Sequence, residues 1–164
     1  MARQFTMERQ DETNWCWLAA AVSVADFFAN GAYAQCRLAG QLVTALPPGT
    51  RCCTNPAPGA CNQPGYPSAA LSHVGHSQGS YASLAPFVDI ENEVRKGNPV
   101  VLRLVYAGSG VSHVIVVVDA FVQGTREFLK VEDPDGPFQR IIPYNGGLYR
   151  NVAIAWGRTY YTCP

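Results

Sequence analysis

The chain carries no excess of charge of either sign. Its 12 Lys and Arg balance 12 Asp and Glu, and charged residues make up only 15% of the 164. Without a basic stripe or an acidic block, nothing points to a nucleic acid or an anionic membrane as partner. No apolar run comes near the roughly 20 residues that span a bilayer. The opening segment, Met1 to Arg9, is polar and lacks the apolar core of a secretory signal. The expectation is a chain exported without such a signal, or one trimmed from a longer parent. Internal repeats, low-complexity tracts and linkers are also missing. Apolar residues are 48% of the chain, which suits a single globular domain with a real core.

Cysteine is not scarce. Six occur, and Cys36, Cys52, Cys53 and Cys61 crowd a stretch rich in Pro and Gly. That pattern reads as loops stapled by disulfides in an oxidising setting. If Cys16 stays free, two bridges and one spare thiol account for the rest, and the pairing stays open. Zinc is the competing reading, with His73 and His76 joining Cys52, Cys53 and Cys61. Against it, the chain has no C-x-x-C pair, and adjacent cysteines rarely both ligate one ion.

The stretch from Gln10 to Phe28 organises the chain. It predicts a helix from about Asn14 to Ala29, capped by Asn14 or Thr13 and stopped by Asn30-Gly31. Apolar residues cover nearly its whole circumference, with Ser23 and Asp26 the polar exceptions, so it belongs in a core. Cys16 falls in its first turn. There the partial positive charge of the helix end favours a thiolate, the nucleophilic form of the side chain. The plainer reading of Cys16 is a small buried apolar residue.

Three other pieces favour chemistry. Gln10 precedes Cys16 by six residues, in a polar arm that can fold back over the helix mouth. Its amide can face an oxyanion formed when sulfur attacks an acyl carbon. His113 opens the apolar run Val114 to Val118, at the start of a buried strand. Asp133, in Glu132-Asp133-Pro134, closes another strand and can orient the imidazole; Asp135 and Asp119 are its rivals. A cysteine, then a histidine, then a carboxylate is a nucleophile, its base and the base's partner.

These motifs, Gln10…Asn14-Trp15-Cys16-Trp17…Ala20-Ala21, Gly110-Val111-Ser112-His113 and Glu132-Asp133-Pro134, resemble the papain-fold cysteine peptidases. The compact bacterial branch, with leader-peptide-processing domains and plant-pathogen effector proteases, is the nearest in pattern. Gly97-Asn98-Pro99, leading into the strand before His113, is similar to that branch too. The likeness runs from Gln10 to about Tyr144. It implies a papain-like α+β fold whose two lobes meet at a cleft, with Cys16 on one wall and His113 on the other. It also implies amide-bond cleavage through an acyl-enzyme, with no cofactor and no metal. The papain group often has Asn where Asp133 stands here, and the branch accepts Asp.

Beyond the first helix, spacing predicts helices at Cys36 to Leu46, Ser68 to Ser77 and Pro86 to Lys96. Between the first two lies a loop from Pro47 to Pro67. Strands are expected at Val100 to Tyr106, His113 to Val122, Arg126 to Glu132, Phe138 to Ile142 and Val152 to Tyr161, separated by turn residues. Helices first and strands afterwards predict an α+β fold with an antiparallel sheet. The expected layout is one domain over 1–164, helical to about residue 97 and sheet from about 98.

Several readings compete. Gly75-His76-Ser77-Gln78-Gly79 matches the nucleophile elbow of serine hydrolases, with Asp89 and His113 as formal partners. Its flanks argue against it, since the elbow needs a buried strand before and a helix after. The same thioester would serve a deamidase, a transglutaminase or an acyltransferase. A binding module with its chemistry lost is a further possibility, although Gln10, Cys16, His113 and Asp133 are all present. Of the two tryptophans beside Cys16, one is expected in the core and one as a shield over the Cys–His pair. Trp17 and Ser112 are the candidates for contact with substrate. The segments Pro47 to Gly65 and Ser77 to Pro86 are expected to border the cleft. The expected partners are a protein or peptide substrate and a cognate inhibitor or immunity protein. The expected setting is a bacterial effector or toxin delivered outside the producing cell.

Overall fold

A computed structural model describes residues 4–28, 31–136 and 138–164. Four helices, α1 (Cys16–Phe27), α2 (Gln35–Leu42), α3 (Pro67–His73) and α4 (Phe87–Arg95), accompany seven strands. The strands are β1 (Ser77–Tyr81), β2 (Val100–Tyr106), β3 (Ser112–Gln123), β4 (Arg126–Glu132), β5 (Gln139–Pro143), β6 (Leu148–Tyr149) and β7 (Val152–Thr162). The sheet runs β1-β7-β2-β3-β4-β5, with β6 paired to β7 off this path, and every pairing is antiparallel. The fold is α+β, as expected.

Alternation along the strands divides the core. Val101, Val114, Val116 and Tyr160 pack with α1, α2 and α3. Val100, Leu102, Leu104, Ile115, Val117, Leu129 and Val131 share a second cluster with Phe87 and Ile90 of α4. Helices therefore cover both faces, which is why the run at Val114 to Val118 carries no polar residues. A fully buried aliphatic side chain here contributes about 1.5–3 kcal/mol by leaving water. Ten consecutive residues of α1, Cys16 to Ala25, are buried, as its apolar circumference predicts.

The expected strands hold to within a residue, and β2 and β4 match in full. Three local expectations change. α2 stops at Leu42, short of Leu46: Val43 turns extended and Ala45 has a positive φ of 61°. α3 ends at His73 and Gly75 takes a φ of 84°, which releases the chain before Ser77. Ser77 then begins β1, a strand that spacing did not predict; it pairs with β7 at the sheet edge, inside the half expected to be helical. β6 is also unpredicted. The helix end at Ala29 and the stop at Asn30 lie outside the described residues.

Disulfides Cys36–Cys53 and Cys52–Cys61 tie α2 and the Pro/Gly-rich loop together, leaving Cys16 and Cys163 free. This is the expected count of two bridges and a spare. It also removes the cysteine ligands of the zinc reading. Among the described residues, no group of three or more His, Cys, Asp or Glu could hold a metal ion.

Candidate active site

Cys16 is the first residue of α1, behind Trp15, and no side chain caps the helix. The expected cap is absent because Trp15 holds the N-cap position, and Asn14 before it is turned to Asn62. The Asn14 backbone N–H donates to Asn62 Oδ1 at 2.9 Å and its amide donates to the Asn62 carbonyl at 3.0 Å. Asn62 in turn donates to Thr13 Oγ1 at 2.9 Å. Both indoles join this contact. Trp15 Nε1 donates to the Cys61 carbonyl at 2.7 Å, and Trp17 Nε1 to that of Gln63 at 3.2 Å. Trp15 and Trp17 are both buried, so each packs inward; Trp17 also lines the cleft. Gly65 is required for this fit. A Cβ there would lie 2.5 Å from the Trp17 ring.

Opposite α1, β3 delivers His113 at its second residue, and the end of β4 delivers Asp133. His113 Nε2 lies 2.7 Å from Asp133 Oδ1, with the carboxylate wholly buried. His113 also interacts with Cys16. Burial by itself would lower the His113 pKa. Hydrogen bonds to Asp133 and Cys16 and their negative charges outweigh it and lift the value to about 9. Asp133 moves the other way: burial opposes the charge, but His113, Tyr149 and the Asp135 N–H hold its pKa below the ordinary value. The pair is therefore imidazolium and carboxylate at neutral pH.

A cleft of about 160 Å³ lies over these groups, lined by Gln10, Cys16, Trp17, Gly65, Ser112 and His113 among others. A helix-start cysteine interacting with a histidine whose Nε2 is held by a buried carboxylate is acyl-transfer geometry. Residues 1–142 match the family of the papain-like cysteine protease AvrRpt2, a family of plant-pathogen effector proteases. The chain belongs to this family. It is a papain-like cysteine protease, a hydrolase whose substrate is protein. No curated protein matches it.

The remaining expectations sort themselves around this cleft. Gln10 reaches the cleft, and its N–H donates to the Pro134 carbonyl at 3.0 Å. Its side-chain amide donates to the Glu12 and Thr13 carbonyls at 3.1 and 2.9 Å, so an oxyanion would have to compete for it. Ser112 is half-buried on the cleft wall. Asp119 takes the Ala120 N–H at 2.9 Å and lines a different cavity. Asp135 sits in the cleft but is paired with Arg150 at 2.7 Å. From Pro47 to Gly65, only Pro64 and Gly65 line the cleft. Ser77 to Pro86 contributes no lining residue there, because Ser77–Tyr81 is the edge strand beyond β7. Ser77 follows a helix and begins a strand, the reverse of a nucleophile elbow. Its formal partner Asp89 is exposed on α4 and lines another cavity.

Sequence reasoning missed Tyr149 and Arg150. The hydroxyl of Tyr149 donates to Asp133 Oδ2 at 2.6 Å. Arg150 donates to the Asp135 carboxylate and to the Asp135 and Gly136 carbonyls, and its Nε lies 3.8 Å from Asp133 Oδ2. Both belong to the β6–β7 hairpin, whose two-residue turn is Arg150-Asn151 at φ 52° and 64°. A positive φ at both positions is the type I′ signature, normally written Asn-Gly. Arg in the first position hides it.

Proposed function

We propose that this peptidase cleaves its protein substrate with Cys16 as nucleophile, His113 as proton carrier and Asp133 as the residue that orients His113. The Cys16 thiolate attacks the scissile carbonyl while His113 holds the imidazolium proton, which then goes to the leaving amine. Water attacks the acyl-enzyme with His113 as base, releasing the acid and restoring the thiolate. Backbone N–H groups in the uncapped first turn of α1, that of Cys16 included, face the oxyanion. Gln10 adds a side-chain donor by releasing one of its two carbonyls. Trp17 and Ser112 flank the scissile bond. No step calls for a cofactor or metal.

The observation that carries this reading is the buried 2.7 Å contact between His113 Nε2 and Asp133, on a histidine that also interacts with Cys16. Family membership favours hydrolysis over deamidation or acyl transfer by the same thioester. The chain acts as one papain-like domain over 1–164, in which the helical part (about 1–97) lends β1 to the sheet part (about 98–164). It works outside the cell that makes it, as an effector or toxin, a reading supported by the family and by two disulfides. A cognate inhibitor or immunity protein fits such a role.

The test is alkylation by iodoacetamide without reductant, with peptides mapped by mass. Cys16 should react fast below about pH 7, where an ordinary thiol near 8.5 is slow, and His113→Ala should abolish that reactivity. An inert Cys16, or one unaffected by His113→Ala, would overturn the assignment.

A further inference from the structure

We propose that Tyr149 is a positioning residue: its hydroxyl anchors Oδ2 of Asp133, draws off part of the carboxylate charge, and so sets how firmly His113 keeps its proton. This rests on the roles of Cys16, His113 and Asp133 proposed above.

The argument starts from burial. Asp133 and Tyr149 are 0% and 1% exposed, so the carboxylate depends on protein donors. Oδ1 accepts from His113 Nε2 at 2.7 Å and from the Asp135 N–H at 2.8 Å. Oδ2 accepts from Tyr149 at 2.6 Å, while Arg150 Nε, at 3.8 Å, is beyond hydrogen-bond range. In a site of low dielectric each such bond counts for more than it does in water. The phenol thus competes with the imidazolium for one buried charge. Burial and then the Asp133 hydrogen bond and charge push the Tyr149 pKa upward against the guanidinium charges of Arg140, 6.0 Å over its ring from β5, and of Arg150, so it stays a neutral donor.

The titratable and charged neighbours of His113 are few. Cys16 comes from α1 and Tyr106 from β2, stacked at 6.3 Å. Asp133 and Asp135 come from the loop after β4. Tyr149 comes from β6, its ring tilted 6.3 Å away, with Arg150 next to it in the turn. Tyr149 and the Asp135 N–H donate to the carboxylate that His113 uses. Only the phenol can be removed by a side-chain change.

Removing the hydroxyl should leave more charge on Asp133 for His113. The imidazolium would then be held to higher pH and would be a poorer acid toward the leaving amine. Conversely, a more acidic phenol should loosen the proton.

The experiment follows Cys16 alkylation by iodoacetamide against pH, together with a ¹⁵N titration of the His113 ring. In Tyr149→Phe the upper inflection and the ring titration should both move up by about half a pH unit or more. With 3-fluorotyrosine at position 149, which keeps the ring and the hydroxyl, both should move down. The second variant serves even if Tyr149→Phe does not fold. Curves that superpose on the parent's, or shifts of the opposite sign, overturn the proposal and leave Tyr149 a packing residue. The control is His113→Ala. If it leaves alkylation near pH 6.5 unchanged, the Cys–His reading itself has failed. If it abolishes the fast reaction while both Tyr149 variants match the parent, only the present proposal has failed.

Discussion

The indole N–H of Trp15 donates to the Cys61 carbonyl at 2.7 Å, across 46 positions of chain. Trp15 is the residue before the candidate nucleophile, and Cys61 is one end of a disulfide. The mouth of α1 is thus held by a loop with little regular structure, which is itself closed covalently.

Opening that closure should cost stability. Cys52–Cys61 spans a separation of 9 residues, and the chain-entropy account puts a loop of that size at roughly 2–3 kcal/mol. The Cys52→Ser/Cys61→Ser protein should unfold at correspondingly lower urea, with blue-shifted Trp15 and Trp17 emission weakened in the native baseline. An unchanged midpoint would mean that the Asn14–Asn62 and indole contacts hold the loop unaided.

Stability should also depend on pH through the His113–Asp133 pair. The His113 pKa rises from 6.5 to about 9 on folding, so its contribution is complete below about 6.5 and is lost as pH rises through 9. Asp133, lowered on folding, contributes above its unfolded value of 3.8 and loses that contribution as pH falls below it. Denaturant midpoints should therefore decline between about pH 6.5 and 9, and His113→Ala should flatten that decline. A decline that persists in the variant would locate its origin elsewhere.

Gly65→Ala places a methyl 2.5 Å from Trp17 carbons. That is inside any real contact distance, so Trp17 or the 64–65 segment must shift and the cleft must change shape. The expected loss is at least tenfold in cleavage of labelled casein, with a stability cost of about 1–3 kcal/mol. Full activity in Gly65→Ala would mean that substrate does not touch this wall.

Gln10→Ala tests the oxyanion role. Losing one such donor should lower kcat by about a hundredfold and leave KM nearly unchanged. Because the amide already serves two carbonyls, an alternative outcome is informative: a small kcat effect with lower stability would make Gln10 a brace for residues 12–13.

Much of this architecture was readable before folding. β2 and β4 match their predicted limits because alternation and turn residues are properties of chain neighbours. α1 was legible for the same reason, and it carries Cys16 in its first turn. Its cap was not. Thr13 and Asn14 are good cap residues, but Asn62, 48 positions away from Asn14, takes the latter's hydrogen bonds. β1 escaped notice because Ser77–Tyr81 is polar and mostly exposed, so no apolar period marks it; β7 recruits it.

The sequence by itself determined which side chains are able to do chemistry and where along the chain they stand. Cys16 at a helix start, His113 at the head of an apolar strand and Asp133 at a strand end follow from short-range pattern alone. Tertiary structure decided which carboxylate meets the histidine, which cysteines pair, and what holds Asp133. Asp133 was favoured for its place at a strand end, but Asp119 and Asp135 stayed rivals until β3, β4 and the β6–β7 hairpin came together and put Asp133 Oδ1 on His113 and Oδ2 on Tyr149. Such choices depend on distances between residues 9 to 97 positions apart along the chain, which tertiary contacts set and local periodicity does not encode.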